Sequence, residues 1–191
     1  FAVNLATGDV DTLASGADED WRVVLAETGE HSLTGTRIRR ALRYSNANTF
    51  LATYGDGVSD IDLDRLLAHH KRSGKLATVT AVRPSSRFGE LSIEAGLVRK
   101  FREKPQVTEG WINGGFFVFE KQAFDRVRQN ADLALEDGVL EALANEGQLA
   151  VYQHHGFWQS MDTFREMQLL NELWNGGRAP WSVWRECRLS A

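Results

Sequence analysis

The sequence predicts an α/β fold: a mixed, mostly parallel sheet flanked by helices, with a small β-hairpin beside it. Three observations carry that reading. Residues 49–54 (TFLATY) are apolar on both sides of the chain, as a central strand covered on both faces requires. Residues 76–82 (LATVTAV) are rich in β-branched residues and follow an amphipathic stretch at the spacing of a strand–helix–strand unit. Around Ala95-Gly96 the pattern switches to alternating apolar and polar residues, the mark of a hairpin with one solvated face.

Taken in order, residues 21–26 (WRVVLA) read as a short strand. Thr28-Gly29 and Thr34-Gly35 are loop signals, and a helix follows over about residues 35–44, with Ile38, Leu42 and Ala41 on its inner side. Gly55-Asp56-Gly57 turns the chain out of the strand at 49–54. The helix beyond it is capped by Asp60 or Asp62, carries Leu63, Leu66, Leu67 and His70 on one stripe, and stops at Gly74. WINGGFFVFE is a strand crossed by Gly114-Gly115, where a glycine pair marks a close approach. KQAFDRVRQN and LEDGVLEALANEGQ read as helices, LAVYQHH as a strand, GFWQSMDT as a loop, and TFREMQLLNELWNGG as a helix capped near Asp162.

At 191 residues the chain suits one domain, and roughly 70% of its unfolded surface can be buried without staples. A hydrophobic share of 42% and a charged share of 25% are those of a globular protein. The net charge of -4 gives no broad basic surface for nucleic acid, and no apolar run approaches the roughly 20 residues that cross a membrane. Cys187 stands alone, so no internal disulfide forms, which fits a reducing cytoplasm.

Several short motifs place chemistry at element ends. Asp56 stands between two glycines where a strand ends, the edge of an open α/β sheet at which ligands bind, and a small carboxylate there suits a hard cation such as magnesium. A turn aspartate chosen for its backbone conformation explains the same residue. Asp162 repeats the pattern at a loop-to-helix junction, where a metal ligand and a helix N-cap are both open readings. Glu103-Lys104-Pro105 ends a strand, and Lys104 is either a phosphate-binding cation or a solvated strand end. Asn113, before two glycines, offers an amide to sugar hydroxyls or packs a tight strand crossing. Thr34 and Arg37 open a helix and form a ready anion site, whereas Arg39 and Arg40 read as plain surface charges. His69-His70 and His154-His155 are adjacent pairs that point apart, so neither supports a zinc site. Trp174, Trp181 and Trp184 either pack the last helix or form a subunit contact, and a homo-oligomer is expected from the second reading.

Together and in this order, TYGDGV, RFGEL, FREKP, WINGGFFVF and GFWQSMDT resemble the glucose-1-phosphate cytidylyltransferases, a branch of the sugar-1-phosphate nucleotidyltransferases. The resemblance covers roughly residues 21–184. Thymidylyl and uridylyl relatives tend to carry Asp-Asn where this chain has Asp56-Gly57, which favours the cytidylyl branch, as do Trp158-Gln159 and Met161-Asp162-Thr163. The resemblance implies a Rossmann-like fold with a small mixed sheet over the sugar site. It implies magnesium on Asp56 and Asp162, and nucleotide contacts from Thr34, Arg37 and Gly55. Lys104 would hold the sugar's phosphate, with Glu103, Asn113 and Gly114 framing the hexose. Asp56, Arg37 and Lys104 would carry the catalysis. The implied partners are CTP and glucose 1-phosphate, giving CDP-glucose for deoxysugar or O-antigen-type biosynthesis. A different nucleotide or sugar, or a non-catalytic chain, are the competing readings.

Two residues depart from the family pattern: Thr36 stands where a glycine is usual, and Ser160 where a proline is usual. The family also opens with Gly-Gly-x-Gly-Thr-Arg, which this chain lacks. On the resemblance, the chain is a single nucleotidyltransferase domain without about 70–80 N-terminal residues, the length of two βα units.

Overall fold

The structure, a computed structural model, describes residues 2–3, 6–7, 10–11, 22–84, 90–94, 97–102, 110–125 and 132–184. Strands β1 (Ala2–Val3) and β2 (Val10–Asp11) pair with each other. Helix α1 (Thr34–Ala41) runs into a 3-10 turn at Leu42–Tyr44, then β3 (Thr49–Thr53) and the short β4 (Gly57–Ser59). Helix α2 (Leu63–Ser73) leads to β5 (Ala77–Val82), and β6 (Glu90–Glu94) pairs antiparallel with β7 (Leu97–Arg102). After these come β8 (Ile112–Glu120), α3 (Gln122–Asp125), a π-helical stretch at Leu135–Leu140, α4 (Glu141–Asn145), β9 (Leu149–Gln153), β10 (Trp158–Ser160) and α5 (Phe164–Asn175).

Among the described residues the central sheet has four strands in the order β3-β8-β5-β9. Strand β8 runs antiparallel to both of its neighbours, and β5 and β9 run parallel. Three strands therefore share one direction and β8 opposes them, which gives the expected mixed sheet. The strand–helix–strand unit forms, but its strands β3 and β5 are not neighbours, because β8 lies between them. A strand arriving from 112 onward carries no local signal that it will insert there; only pairing across the sheet selects it.

Strand β8 is central on chemical grounds. Phe117 and Phe119 are buried on one face and stack on each other at 5.5 Å, and Phe119 meets Phe124 edge-on at 5.2 Å. Leu135, Val139 and Leu143 close over this cluster. On the other face Val118 packs with Ile61 and Leu66. Each fully buried Leu or Phe contributes roughly 1.5–3 kcal/mol by leaving water.

Helix α2 follows its signals. Asp62 is the cap, accepting from the Arg65 N–H at 2.9 Å, and Gly74 ends the helix at φ 61. Leu66 and His70 are buried, but Leu63 lies off the stripe and is exposed. The His70 ring lies 2.9 Å from Thr78 Oγ1 and 3.3 Å from Glu120 Oε1, which also accepts from Thr49 Oγ1 at 2.8 Å. This buried histidine is satisfied, so it ties α2, β5, β8 and β3 together and leaves no nitrogen for chemistry. His69 turns away and meets Tyr152.

Several sequence expectations are corrected. Residues 49–54, read as a central strand covered on both faces, form β3 at the edge of the described sheet, with Leu51 exposed. Residues 22–26 form no strand, and Val23, Val24 and Leu25 are exposed; an apolar run needs a neighbour to take its backbone hydrogen bonds, and none of the described strands does so. The segment after Gly55-Asp56 does not pass straight to a helix, and GFWQSMDT is not all loop: each contributes a three-residue strand, and the two pair as β4 and β10. Ala41 is exposed, not inward. The helix read over KQAFDRVRQN is seen as α3, with residues 126–130 outside the described set.

Phe119→Ala should remove about 3–5 kcal/mol of stability. A urea titration should show this as a lower midpoint at unchanged slope.

Candidate active site

The cleft forms at the end of the sheet where β3 and β5 finish and β8 begins. A cavity of about 200 Å³ opens there, lined by Tyr54, Asp56, Asn113, Gly114, Trp158 and Asp162 among others. The two acids reach it from distant parts of the chain. Strands β4 and β10 pair with Gly57 opposite Ser160, and the Met161 N–H donates to the Asp56 carbonyl oxygen at 2.7 Å. That ladder sets Asp56 at the mouth of one strand and Asp162 two residues beyond the other.

The alternative duties of these acids are taken by other residues. The cap of α5 is Thr163: its Oγ1 accepts from the Glu166 N–H at 3.3 Å, and Glu166 Oε2 accepts from the Asp162 and Thr163 N–H groups at 2.9 Å each. The Asp162 carboxylate thus does no capping. Among the described residues, neither it nor the Asp56 carboxylate accepts a hydrogen bond, and both residues are exposed. A side chain added at Gly55 would meet nothing within 4 Å, so the turn leaves room beside Asp56.

Two aromatic residues brace the floor. Trp158 Nε1 donates to the Gly114 carbonyl at 2.7 Å and so fastens β10 to β8. Tyr54 lies against Gly115, whose φ of 76 suits glycine and where an added Cβ would stand 2.6 Å from the ring. At Gly114 an added Cβ would meet Val82 at 2.7 Å and the Thr80 carbonyl at 3.1 Å. The glycine pair therefore permits a tight strand crossing and also lines the cleft.

The Tyr54 hydroxyl donates to Glu136 Oε1 and accepts from Asn113 Nδ2 at 3.4 Å. Asn113 Oδ1 accepts from the Gly115 N–H at 2.9 Å, which fixes the amide's orientation. Partial burial, then the Glu136 carboxylate beside it, push the Tyr54 phenol well above its ordinary value. It stays protonated at neutral pH, as a donor and not a base. Glu136 carries no motif, and sequence reading missed it; Trp158 sat inside a recognised motif, but its bond to Gly114 needed the fold.

Thr34 and Arg37 are not among the residues lining the cleft. Thr34 Oγ1 accepts from the Leu135 N–H at 2.8 Å and lies 3.5 Å from Glu136 Oε2, one residue removed from Tyr54. Arg37 donates to the Ser32 and Glu30 carbonyls at 2.7 and 2.8 Å, holding the loop before α1. Arg40 is no plain surface charge: it is partly buried and donates to the Thr28 carbonyl at 2.6 Å and to Ser32 Oγ at 2.7 Å. Thr36 is buried, and its Oγ1 accepts from the Leu133 N–H at 2.9 Å, so its extra side chain points into packing. Asp132 takes the Leu33 N–H at 3.0 Å, and that bond holds its carboxyl below the usual value. Glu103 and Lys104 lie outside the described residues. His154 pairs with Asp60 at 2.8 Å, and His155 faces Trp111.

Among the described residues no three His, Cys, Asp or Glu side chains converge to hold a metal ion alone. Two open carboxylates in one cleft suit a hard divalent cation, which can take one or two protein carboxylates and fill its other positions with water and phosphate oxygens.

The nucleotidyl transferase family model matches residues 21–171, most of the chain. The chain belongs to the nucleotidyl transferase family. It is 42% identical over 184 residues to the Bacillus subtilis protein named "Probable glucose-1-phosphate cytidylyltransferase", covering 96% of this chain and 71% of that one. It is 46% identical over 167 residues to the glucose-1-phosphate cytidylyltransferase of Salmonella typhi, covering 87% of this chain and 65% of the relative. The chain thus spans about two thirds of the length of these nucleotidyl transferases. A solved Bacillus anthracis structure described as a glucose-1-phosphate thymidylyltransferase superposes with a TM-score of 0.57 at 16% identity, over 76% of this chain and 62% of that one, which supports the fold alone.

The Tyr54 shift sets a pH window. A phenol whose folded value lies above its unfolded value near 10.0 contributes stability that is fully present below that pH and is lost as pH rises beyond it. Alkaline melting curves from pH 9 to 11 should fall more steeply for the wild type than for Tyr54→Phe; parallel curves would contradict the assignment.

Proposed function

We propose that this chain carries a glucose-1-phosphate cytidylyltransferase site, which transfers a cytidylyl group from CTP to glucose 1-phosphate, giving CDP-glucose and pyrophosphate. The observation that carries the proposal is the pair of uncommitted carboxylates, Asp56 and Asp162, brought to one cleft by the β4–β10 ladder. The two cytidylyltransferases at 42% and 46% identity supply the nucleotide and sugar, and a mannose-1-phosphate guanylyltransferase subunit of Xenopus tropicalis, 33% identical over 129 residues, extends the substrate class to other sugar 1-phosphates.

In this reaction an oxygen of the sugar phosphate attacks the α-phosphorus of the triphosphate in line. The two reactants are anions, and unit charges ~4 Å apart repel by about 4 kcal/mol even at an effective dielectric of 20. A bound divalent ion, read here as magnesium, supplies charge neutralisation. Asp56 and Asp162 would hold it. The phosphate nucleophile is already ionised at neutral pH, so the site needs positioning more than a general base. The protonated Tyr54 suits this, since it orients the Asn113 amide and takes no proton. Asn113 and Gly114 lie in the cleft where a hexose would be framed, with Glu103 and Lys104 assigned by resemblance to the hexose and its phosphate. Thr34 and Arg37 would reach the nucleotide through the loop and helix start they organise, and Gly55 by leaving space. The lone Cys187 suits a cytoplasmic setting, and the exposed Trp174 and Trp184 suit self-association.

Asp56→Asn and Asp162→Asn should each lower turnover by at least about 10²-fold, since even residues that only support a metal ligand cost 10–100-fold when changed. Their melting temperatures should stay within a few degrees of the wild type, because neither carboxylate is bonded in the fold. Wild-type turnover in either variant would remove the metal role. A panel of five nucleoside triphosphates with glucose 1-phosphate should give sugar-nucleotide product with CTP in clear excess. Lys104→Ala should raise the KM for the sugar phosphate more than that for CTP; equal rises would reassign the residue.

A further inference from the structure

A second concavity lies at the opposite end of the sheet from Asp56 and Asp162, where β3 starts and β8 finishes. It has a volume of about 330 Å³. Leu42 and Phe124, both largely buried, form its apolar floor. Around that floor, among the described residues, stand Arg39, Arg40, Arg43 and Lys121, with Asp125 as the one acid.

These cations come from two parts of the chain. Arg39 and Arg40 sit in the last turn of α1, where positive charge complements the helix dipole, and that explains those two. It does not explain the others. Arg43 lies beyond α1 in the 3-10 turn, and Lys121 arrives from the end of β8, placed by its N–H bond to the Asn48 carbonyl at 2.6 Å. Four cations against one acid among the described lining residues is a local excess of positive charge within a chain of net charge -4. Bringing like charges together costs energy, and here the fold imposes that cost.

The donors are partly fixed and partly open. Arg40 is anchored by Thr28 and Ser32. Lys121 Nζ reaches the Ser45 carbonyl at 3.4 Å with one of its three donors. Arg43 is exposed and, among the described residues, makes no hydrogen bond or ion pair. Its planar fork matches the oxygens of a phosphate. The volume is that of a small-molecule site and not of a broad macromolecular interface.

We infer that this concavity is a second binding site, separate from the active cleft, for a small phosphorylated molecule held by its phosphate groups. Inorganic pyrophosphate is the probe, titrated by calorimetry in EDTA so that metal-dependent binding at the cleft is silent. The wild type should bind it, more weakly as sodium chloride is raised. Arg43→Ala should weaken binding about tenfold or more, the worth of one charged hydrogen bond, and Arg43→Ala with Lys121→Ala should abolish it, whereas Asp162→Asn should leave it unchanged. Arg43 is exposed and unbonded, so its single variant folds and can be read even if the double variant does not. No binding by the wild type, unchanged affinity in Arg43→Ala, or loss of binding in Asp162→Asn would each overturn the assignment.

Discussion

The candidate site depends on one short ladder. Three residues of β4 face three of β10, and the Met161 N–H reaches back to the Asp56 carbonyl. Without that pairing Asp56 and Asp162 belong to unrelated loops, and two carboxylates kept apart hold no ion between them. With it, each acid is placed by backbone hydrogen bonds and not by its own side chain, and that leaves both carboxylates open. Thr163 and Glu166 take the helix cap for the same result, since they satisfy the N–H groups that Asp162 would otherwise have to serve.

The rest of the cleft is built outward from the ladder by packing. Trp158 bonds β10 to β8, and the missing side chains at Gly114 and Gly115 let β8 lie close to Val82 and Tyr54. Tyr54 then joins Asn113 on the cleft side to Glu136 on the helical side. Thr34 lies near the other Glu136 oxygen, so the loop-helix element expected to meet the nucleotide is coupled to the cleft through one buried-edge phenol. A family shared with proteins named for sugar 1-phosphates fits a cleft whose chemistry is chiefly the placement of charge.

Much of this was legible in the sequence. Asp62 and Gly74 bound α2 as their residue types demand, but the two-sided apolarity of residues 49–54 misled: β3 lies at the edge of the described sheet, with Leu51 exposed. Asp56 and Asp162 were visible as acids at element ends. What could not be read was decided by pairing at a distance. The run at 22–26 looks like a strand but has no described partner, while Gly57–Ser59 and Trp158–Ser160 look like loop and are strands because they have each other. The insertion of β8 between β3 and β5, and the roles of Glu136 and Arg40, are likewise set by neighbours that the local spelling does not contain.

The distance spanned by the ladder has a consequence for biosynthesis. Ser59 Oγ bonds the Phe157 carbonyl across 98 positions of sequence, and contacts that long are slow to close. On the ribosome Asp56 emerges long before Asp162, so a nascent chain cannot bring the two carboxylates to one cleft until the β10 segment has been made and has paired with β4.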